Sequence, residues 1–149
     1  MLAPTRILVP TDFSEHSDKA LLQALDIAQE YRARVYVIHA IHERMADRLD
    51  DYGLTYPAFV KNVERRMARS AMKRIKAQVD KFPQAKGVEV VSRAVVGSTS
   101  EAILKEAKKQ GIDLIVIASL GKTGMAKYLI GNTARNVLRE AKCPVLLTK

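Results

Sequence analysis

The residues best equipped for chemistry lie late in the chain. They run from Ala118-Ser119-Leu120-Gly121-Lys122-Thr123-Gly124 to Gly131-Asn132-Thr133. Glycine lets main-chain N–H groups approach and curl around phosphate oxygens. Gly131-Asn132-Thr133 precedes a helical pattern, so unpaired N–H groups and the positive end of the helix dipole face any anion held there. Asn132 and Thr133 are both competent N-caps, able to close the helix or to meet a phosphate. The plainer alternative is a loop followed by an ordinary capped helix.

Other candidate chemistry is weaker. Gly121-Lys122-Thr123 has the ending of a P-loop, but Val116 stands where that motif needs its first glycine. His16, His39 and His42 form no pair with Cys143 at zinc-site spacing. Cys143 has no evident activating base beside it and reads as a packed thiol. Ser119 lies in Ala-Ser-Leu-Gly, which is not a nucleophile elbow. No pair of carboxylates in contrasting surroundings suggests acid–base catalysis.

The elements that position the glycine loop follow from patterning. Arg6–Pro10, Arg34–Ile41, Val88–Val96, Asp113–Ala118 and Pro144–Thr148 are short apolar runs rich in branched residues, the mark of strands buried on both faces. Between them lie helical patterns. The first opens at Ser14, an N-cap, and carries Ala20, Leu21, Ala24, Leu25, Ile27 and Ala28. The second runs from Ala58 to Phe82 with Val60, Val63, Met67, Ala71, Ile75 and Val79 on one face, and Pro83 ends it. The third opens at Ser98 or Thr99, presents Ile103, Leu104 and Ala107, and closes at Gly111. The fourth spans about Asn132–Ala141. The stretch from His42 to Pro57 reads as a charged loop with a helical turn.

The order β-α-β-α-β-α-β-α-β predicts an α/β fold, an open five-stranded parallel sheet with helices on both faces, forming one domain over residues 1–149. In such sheets ligands bind beyond the carboxyl ends of the strands, where strand order reverses. Pro10-Thr11-Asp12, His39-Ala40-Ile41 and the segment from Ser119 onward all fall at such ends. The first and fourth strands become neighbours if the reversal lies between them. That marks a place, not a ligand.

Composition bounds the partners. The chain has 149 residues, 48% hydrophobic and 28% charged, which suits one globular core and excludes a disordered chain. No apolar run approaches the ~18–20 residues of a membrane span. Met1-Leu2-Ala3-Pro4-Thr5-Arg6 lacks a secretory pattern, and Cys143 is the lone cysteine, so a cytoplasmic protein is expected. The formal net charge of +9 favours an anionic partner or a well-solvated surface. Arg65, Arg66, Arg69, Lys73, Arg74 and Lys76 make the second helix basic. With aromatics at 5%, the stacking platform of a nucleic-acid binder is missing, and nucleic acid is not the expected partner.

Several segments, in order, resemble the universal stress protein family: Asp12 within VPTDFS, the helix start GSTSEAILKEA, DLIVIA, the two-glycine loop and the closing CPVLL. The resemblance spans nearly the whole chain. It implies a Rossmann-like sheet of the adenine nucleotide alpha hydrolase type, a homodimer, and binding of ATP or a related adenine nucleotide (AMP or ADP), with Mg as accompanying ion. Nucleotide-binding members carry Gly, two residues, Gly, nine residues, Gly, then Ser or Thr. Here Ala118 occupies the first position, Gly121 the second and Gly131 the third, with Asn132 and then Thr133 following. By the same resemblance Pro10, Thr11 and Asp12 lie beside the nucleoside, and Ala40 lines the base pocket. Ile117 and Ala118 border the ligand, and Ser119, Gly121, Asn132 and Thr133 meet phosphates. Asp12 also reads as a carboxylate that fixes the first turn of a helix. Ala118 and Asn132 depart from the signature. They keep open a nucleotide-free member that acts as a dimeric interaction module. The apolar last strand, Val145–Thr148, is the expected dimer edge. No residue plainly positions a water, so little or no hydrolysis is expected.

Overall fold

Alternation along the first strand, β1 (Arg6–Pro10), sets the architecture. Ile7 and Val9 turn to one face, Leu8 to the other, and all three are fully buried. A strand that must satisfy two cores belongs in the middle of a sheet covered on both sides. The computed structural model describes residues 2–42, 57–121 and 129–149. The loop expected before Pro57, and Lys122 with the body of the glycine loop, lie outside the described residues.

β1 pairs in parallel with β2 (Arg34–Ile41) and with β4 (Leu114–Ala118). β2 pairs with β3 (Val90–Val96), and β4 with β5 (Val145–Thr148), giving the order β3-β2-β1-β4-β5. The order therefore reverses between β1 and β4, as the patterning required. Among the described residues four α-helices lie between these strands: α1 (Glu15–Tyr31), α2 (Pro57–Asp80), α3 (Thr99–Gln110) and α4 (Asn132–Glu140). On one face Ile7, Val9, Val35, Val37, Leu114 and Val116 pack against Leu21 and Leu25 of α1 and Ile75 and Val79 of α2. On the other, Leu8, Tyr36, Ile38, Ile115 and Ile117 pack against Ile103 of α3 and Val137 of α4.

Several boundaries differ from the expected ones, each for a local reason. α2 ends at Asp80, because Pro83 opens a short 3-10 turn over Pro83–Ala85. β3 begins at Val90, since the Val88 N–H is turned back to the Ala85 carbonyl. β5 begins at Val145, Pro144 having no N–H to give the ladder. The buried face of α3 is Ala102, Ile103 and Glu106, with Leu104 and Ala107 only partly covered. On α2 burial deepens toward the C-terminal half: Ala71, Ile75 and Val79 are buried, while Val60, Val63 and Met67 are half-buried. The basic residues named on α2 are all exposed. Ser14 caps α1 as expected, its hydroxyl accepting the Ser17 N–H at 3.2 Å. The cap of α4 is Gly131, not Asn132 or Thr133, which are already the first helical residues.

The amino edge of the sheet is closed by Asp113. Its carboxylate accepts the N–H and hydroxyl of Thr5 at 2.9 and 2.6 Å and the N–H of Arg6 at 2.9 Å. Burial pushes this carboxyl upward, but the bonds from Thr5 and Arg6 outweigh it and hold Asp113 below its ordinary value. Burial raises the Cys143 thiol, which is the opposite of an activated nucleophile.

Candidate functional site

A cavity of about 440 Å³ opens at the carboxyl edge of the sheet, where β1 and β4 part. That volume lies in the range of small-molecule sites. Its floor is the end of β1: Pro10, Thr11 and Asp12. Ala40 lines the β2 side. Ile117, Ala118, Ser119 and Gly121 form the β4 side, and Gly131, Asn132 and Thr133 bring in the start of α4. Segments far apart in sequence, each singled out from the residues, thus share one wall.

Asp12 is set by its own turn. Its Oδ1 accepts both the main-chain N–H of Ser14, at 2.9 Å, and the Ser14 hydroxyl. Its Oδ2 lies so close to Gly121 that a Cβ there would sit 3.1 Å away. Gly121 is therefore explained by a close approach and not by an unusual φ. Gly131 repeats the pattern: a Cβ would come within 3.3 Å of the Ser119 carbonyl, which accepts the Gly131 N–H at 2.7 Å. The first bond inside α4 runs from the Arg135 N–H to the Gly131 carbonyl. The N–H groups of Asn132, Thr133 and Ala134 thus have no partner within the helix, no side chain caps it, and all three residues line the cavity. This is a local geometry suited to an anion.

Thr11 is held at every polar atom. Its N–H donates to the Ile38 carbonyl at 2.8 Å, and its own carbonyl accepts Nδ1–H of His39 at 2.8 Å. Its hydroxyl points to Gln78 Oε1 at 2.8 Å and accepts the Phe13 N–H at 3.0 Å. Thr11 is wall, with its hydroxyl turned toward α2. Ala118 closes β4 in extended backbone. Among the described residues, Phe13 and Arg32 are the non-glycine positions with positive φ. A methyl at 118 therefore carries no conformational strain.

Two further lining residues, Thr99 and His42, were not among the expected site residues. Thr99 was expected only as a cap, whereas His42 was open to two readings, a border of the nucleotide pocket or, more simply, an exposed ring. The His42 ring, exposed at the end of β2, lies with Nε2 3.2 Å from the Thr99 hydroxyl, and both line the cavity. The available signal was the Gly97-Ser98-Thr99 helix opening directly after β3, which places it at the same sheet edge. A larger hollow, about 560 Å³, lies at the opposite edge among Arg6, Arg32, Arg34 and Glu89. There Arg34 is already paired with Glu89 at 2.8 Å. The hollow borders the carbonyl end of α1, which disfavours an anion. Among the described residues no group of three or more His, Cys, Asp or Glu is gathered closely enough to hold a metal.

A family model described as the universal stress protein family matches residues 4–149. The chain belongs to the universal stress protein family. Two members from Methanocaldococcus jannaschii are similar over most of their length. The protein MJ0531 is 31% identical over 144 residues, covering 97% of this chain and 81% of that one. The protein MJ0577 is 30% identical, covering 97% of this chain and 94% of that one. The solved structure of MJ0577 superposes with a TM-score of 0.82 at 28% identity, covering 99% and 97% of the two chains. A universal stress protein solved in complex with cAMP has the same fold, with a TM-score of 0.68 at 23% identity over 99% of this chain and 98% of that one. In this universal stress protein the described sheet is five-stranded and parallel, and the cavity lies at its carboxyl edge.

Proposed function

We propose that the chain binds an adenine nucleotide, ATP or its AMP and ADP relatives, in the cavity at the carboxyl edge of the sheet, as a stress-response signalling module. The observation that carries this reading is the convergence of Asp12, Gly121 and Gly131. Gly121 leaves room for the Asp12 carboxylate, and Gly131 starts α4 without a side-chain cap. The phosphates would lie at Ser119, Gly121, Asn132 and Thr133, where the N–H groups of Asn132 and Thr133, without a partner in the helix, and the helix dipole meet negative charge. The nucleoside would lie over Pro10, Thr11 and Asp12, with the base against Ala40 and Ile117. Magnesium would enter with the phosphates as their counter-ion. Family members solved in complex with cAMP and with dAMP support a nucleotide as the class of ligand.

The role is binding and not turnover. Among the described lining residues Asp12 is the one carboxylate, and its Oδ1 is occupied by Ser14. A homodimer through β5 belongs to the same reading. In the described sheet that strand pairs only with β4, and Leu146 on it and Leu138 on α4 are exposed. No described helix is long and apolar enough to cross a membrane. A cytoplasmic setting fits a chain whose one cysteine forms no disulfide.

The deciding experiment extracts protein purified without added nucleotide, identifies co-purifying small molecules by mass spectrometry, and titrates the stripped protein with ATP and magnesium by calorimetry. Binding at micromolar to sub-millimolar ATP is expected. No heat and no shift in melting at millimolar ATP would overturn the nucleotide reading in favour of a nucleotide-free interaction module. Sedimentation at tens of micromolar tests the dimer, and a monomer mass would reject it.

A further inference from the structure

α2 grips the turn that carries Asp12 at two points. Arg74 and Gln78 stand four residues apart, on the same face of α2. Gln78, 3% exposed, accepts the Thr11 hydroxyl at 2.8 Å. Its amide is fixed in turn by Asp18, at 2.7 Å, and Asp18 by Lys81, at 2.9 Å. Arg74 lays its guanidinium over the ring of Phe13, 3.9 Å from the centroid. The ring also packs against the core on that face of the sheet and lies 4.6 Å from the ring of His39, which holds the Thr11 carbonyl. Thr11 and Phe13 flank Asp12 in sequence, so α2 clamps the residue on either side of it.

The clamp has something to resist. Phe13 sits in the left-handed region with φ 64°, a conformation that is costly for a bulky residue and persists only when its surroundings over-determine it. Its relaxation would rotate the peptides on both sides and carry the Ser14 N–H away from Asp12 Oδ1. Neither Arg74 nor Gln78 is among the residues lining the cavity.

We propose that Arg74 and Gln78 are positioning residues for the nucleotide site, and that α2 sets the orientation of the Asp12 carboxylate through Phe13 and Thr11. This rests on the nucleotide reading only for its effect on affinity; the orientation of Asp12 is a property of the free protein.

The test compares wild type, Arg74→Met and Arg74→Lys. Arg74 is exposed, so Met, which keeps the stem and removes the guanidinium, should leave the melting temperature within a few degrees. The first readout is the carboxyl carbon shift of Asp12 and the amide shift of Ser14 by NMR in nucleotide-free protein. The second is ATP affinity by calorimetry, also measured with Asp12→Asn alone and combined with Arg74→Met. The expected result is a shift of both resonances in Arg74→Met and a return toward wild type in Arg74→Lys. ATP affinity should fall about twofold to fivefold in Arg74→Met, the range of an exposed cation–π contact, with that loss shrinking in the Asp12→Asn background. Unmoved Asp12 and Ser14 resonances would overturn the inference, as would an affinity loss equal in both backgrounds. If the resonances move but wild type binds no ATP, the clamp stands and the nucleotide reading fails.

Discussion

Gly121→Ala isolates the closest approach in the cavity. The new Cβ would sit 3.1 Å from Asp12 Oδ2, against 3.4–4 Å for an ordinary contact, so one side must yield by a few tenths of an ångström. Asp12 cannot swing away freely, because Ser14 holds its other oxygen through both a main-chain N–H and a hydroxyl. A hydrogen bond to a charged group contributes about 1.5–3 kcal/mol, so partial weakening of this pair costs about 1 kcal/mol. The backbone at Gly121 is not in the left-handed region, so alanine recovers about 0.4–1 kcal/mol by restricting the unfolded chain. These terms nearly cancel, and net stability should change by less than about 1 kcal/mol. Binding has no such offset. A carboxylate displaced from its ligand loses about 1.5–3 kcal/mol, which at about 1.4 kcal/mol per decade weakens ATP roughly tenfold to a hundredfold. Urea unfolding and ATP calorimetry on one preparation separate the two quantities. Unchanged ATP affinity in a folded Gly121→Ala protein would refute the reasoning, because the Gly121–Asp12 approach would then lie outside the binding geometry.

Two further outcomes follow from the backbone and from the amino edge. Ala118→Gly restores the glycine of the family signature, yet Ala118 already ends β4 unstrained. No gain in ATP affinity is therefore expected, only a stability loss of about 0.5–1 kcal/mol by urea midpoint, and a tenfold tighter site would count against this account. Asp113, held low by Thr5 and Arg6, stabilises the fold while ionised. That contribution is present above the ordinary carboxylate value of about 3.9 and is lost as pH falls through the lower folded value. Asp113→Asn should flatten the acid limb of a stability–pH curve, and an acid limb as steep as wild type would assign that limb to other groups.

Much of the site was legible because its chemistry is local or topological. Gly131 directly precedes the helix it opens, and Gly121 closely follows the end of β4. Asp12 follows a strand whose apolar run cannot be mistaken, and the reversal of strand order brings both segments together. Ser14 as a cap was legible for the same reason. What stayed hidden depends on distance. Gln78 meets Thr11 across 67 residues, and nothing in the helical pattern of α2 separates that glutamine from a solvated one. Arg74 looks like the rest of a basic face until Phe13 is found beneath it. The cap of α4 was expected at Asn132 or Thr133, one or two residues late, because N-cap propensity favours Asn over Gly. The closeness of the Ser119 carbonyl overrides that preference.

Ser119 joins three parts of the molecule by main chain alone. Its N–H donates to the Thr148 carbonyl at the end of β5, and its carbonyl receives the Gly131 N–H at the start of α4. Neither bond consults the side chain. Position 119 can therefore drift in residue type with the splice intact, while Gly131 opposite cannot acquire even a methyl without strain. The fold thus offers evolution a variable letter beside a fixed one at the mouth of the cavity. Ligand preference can be retuned at 119 without renegotiating the architecture.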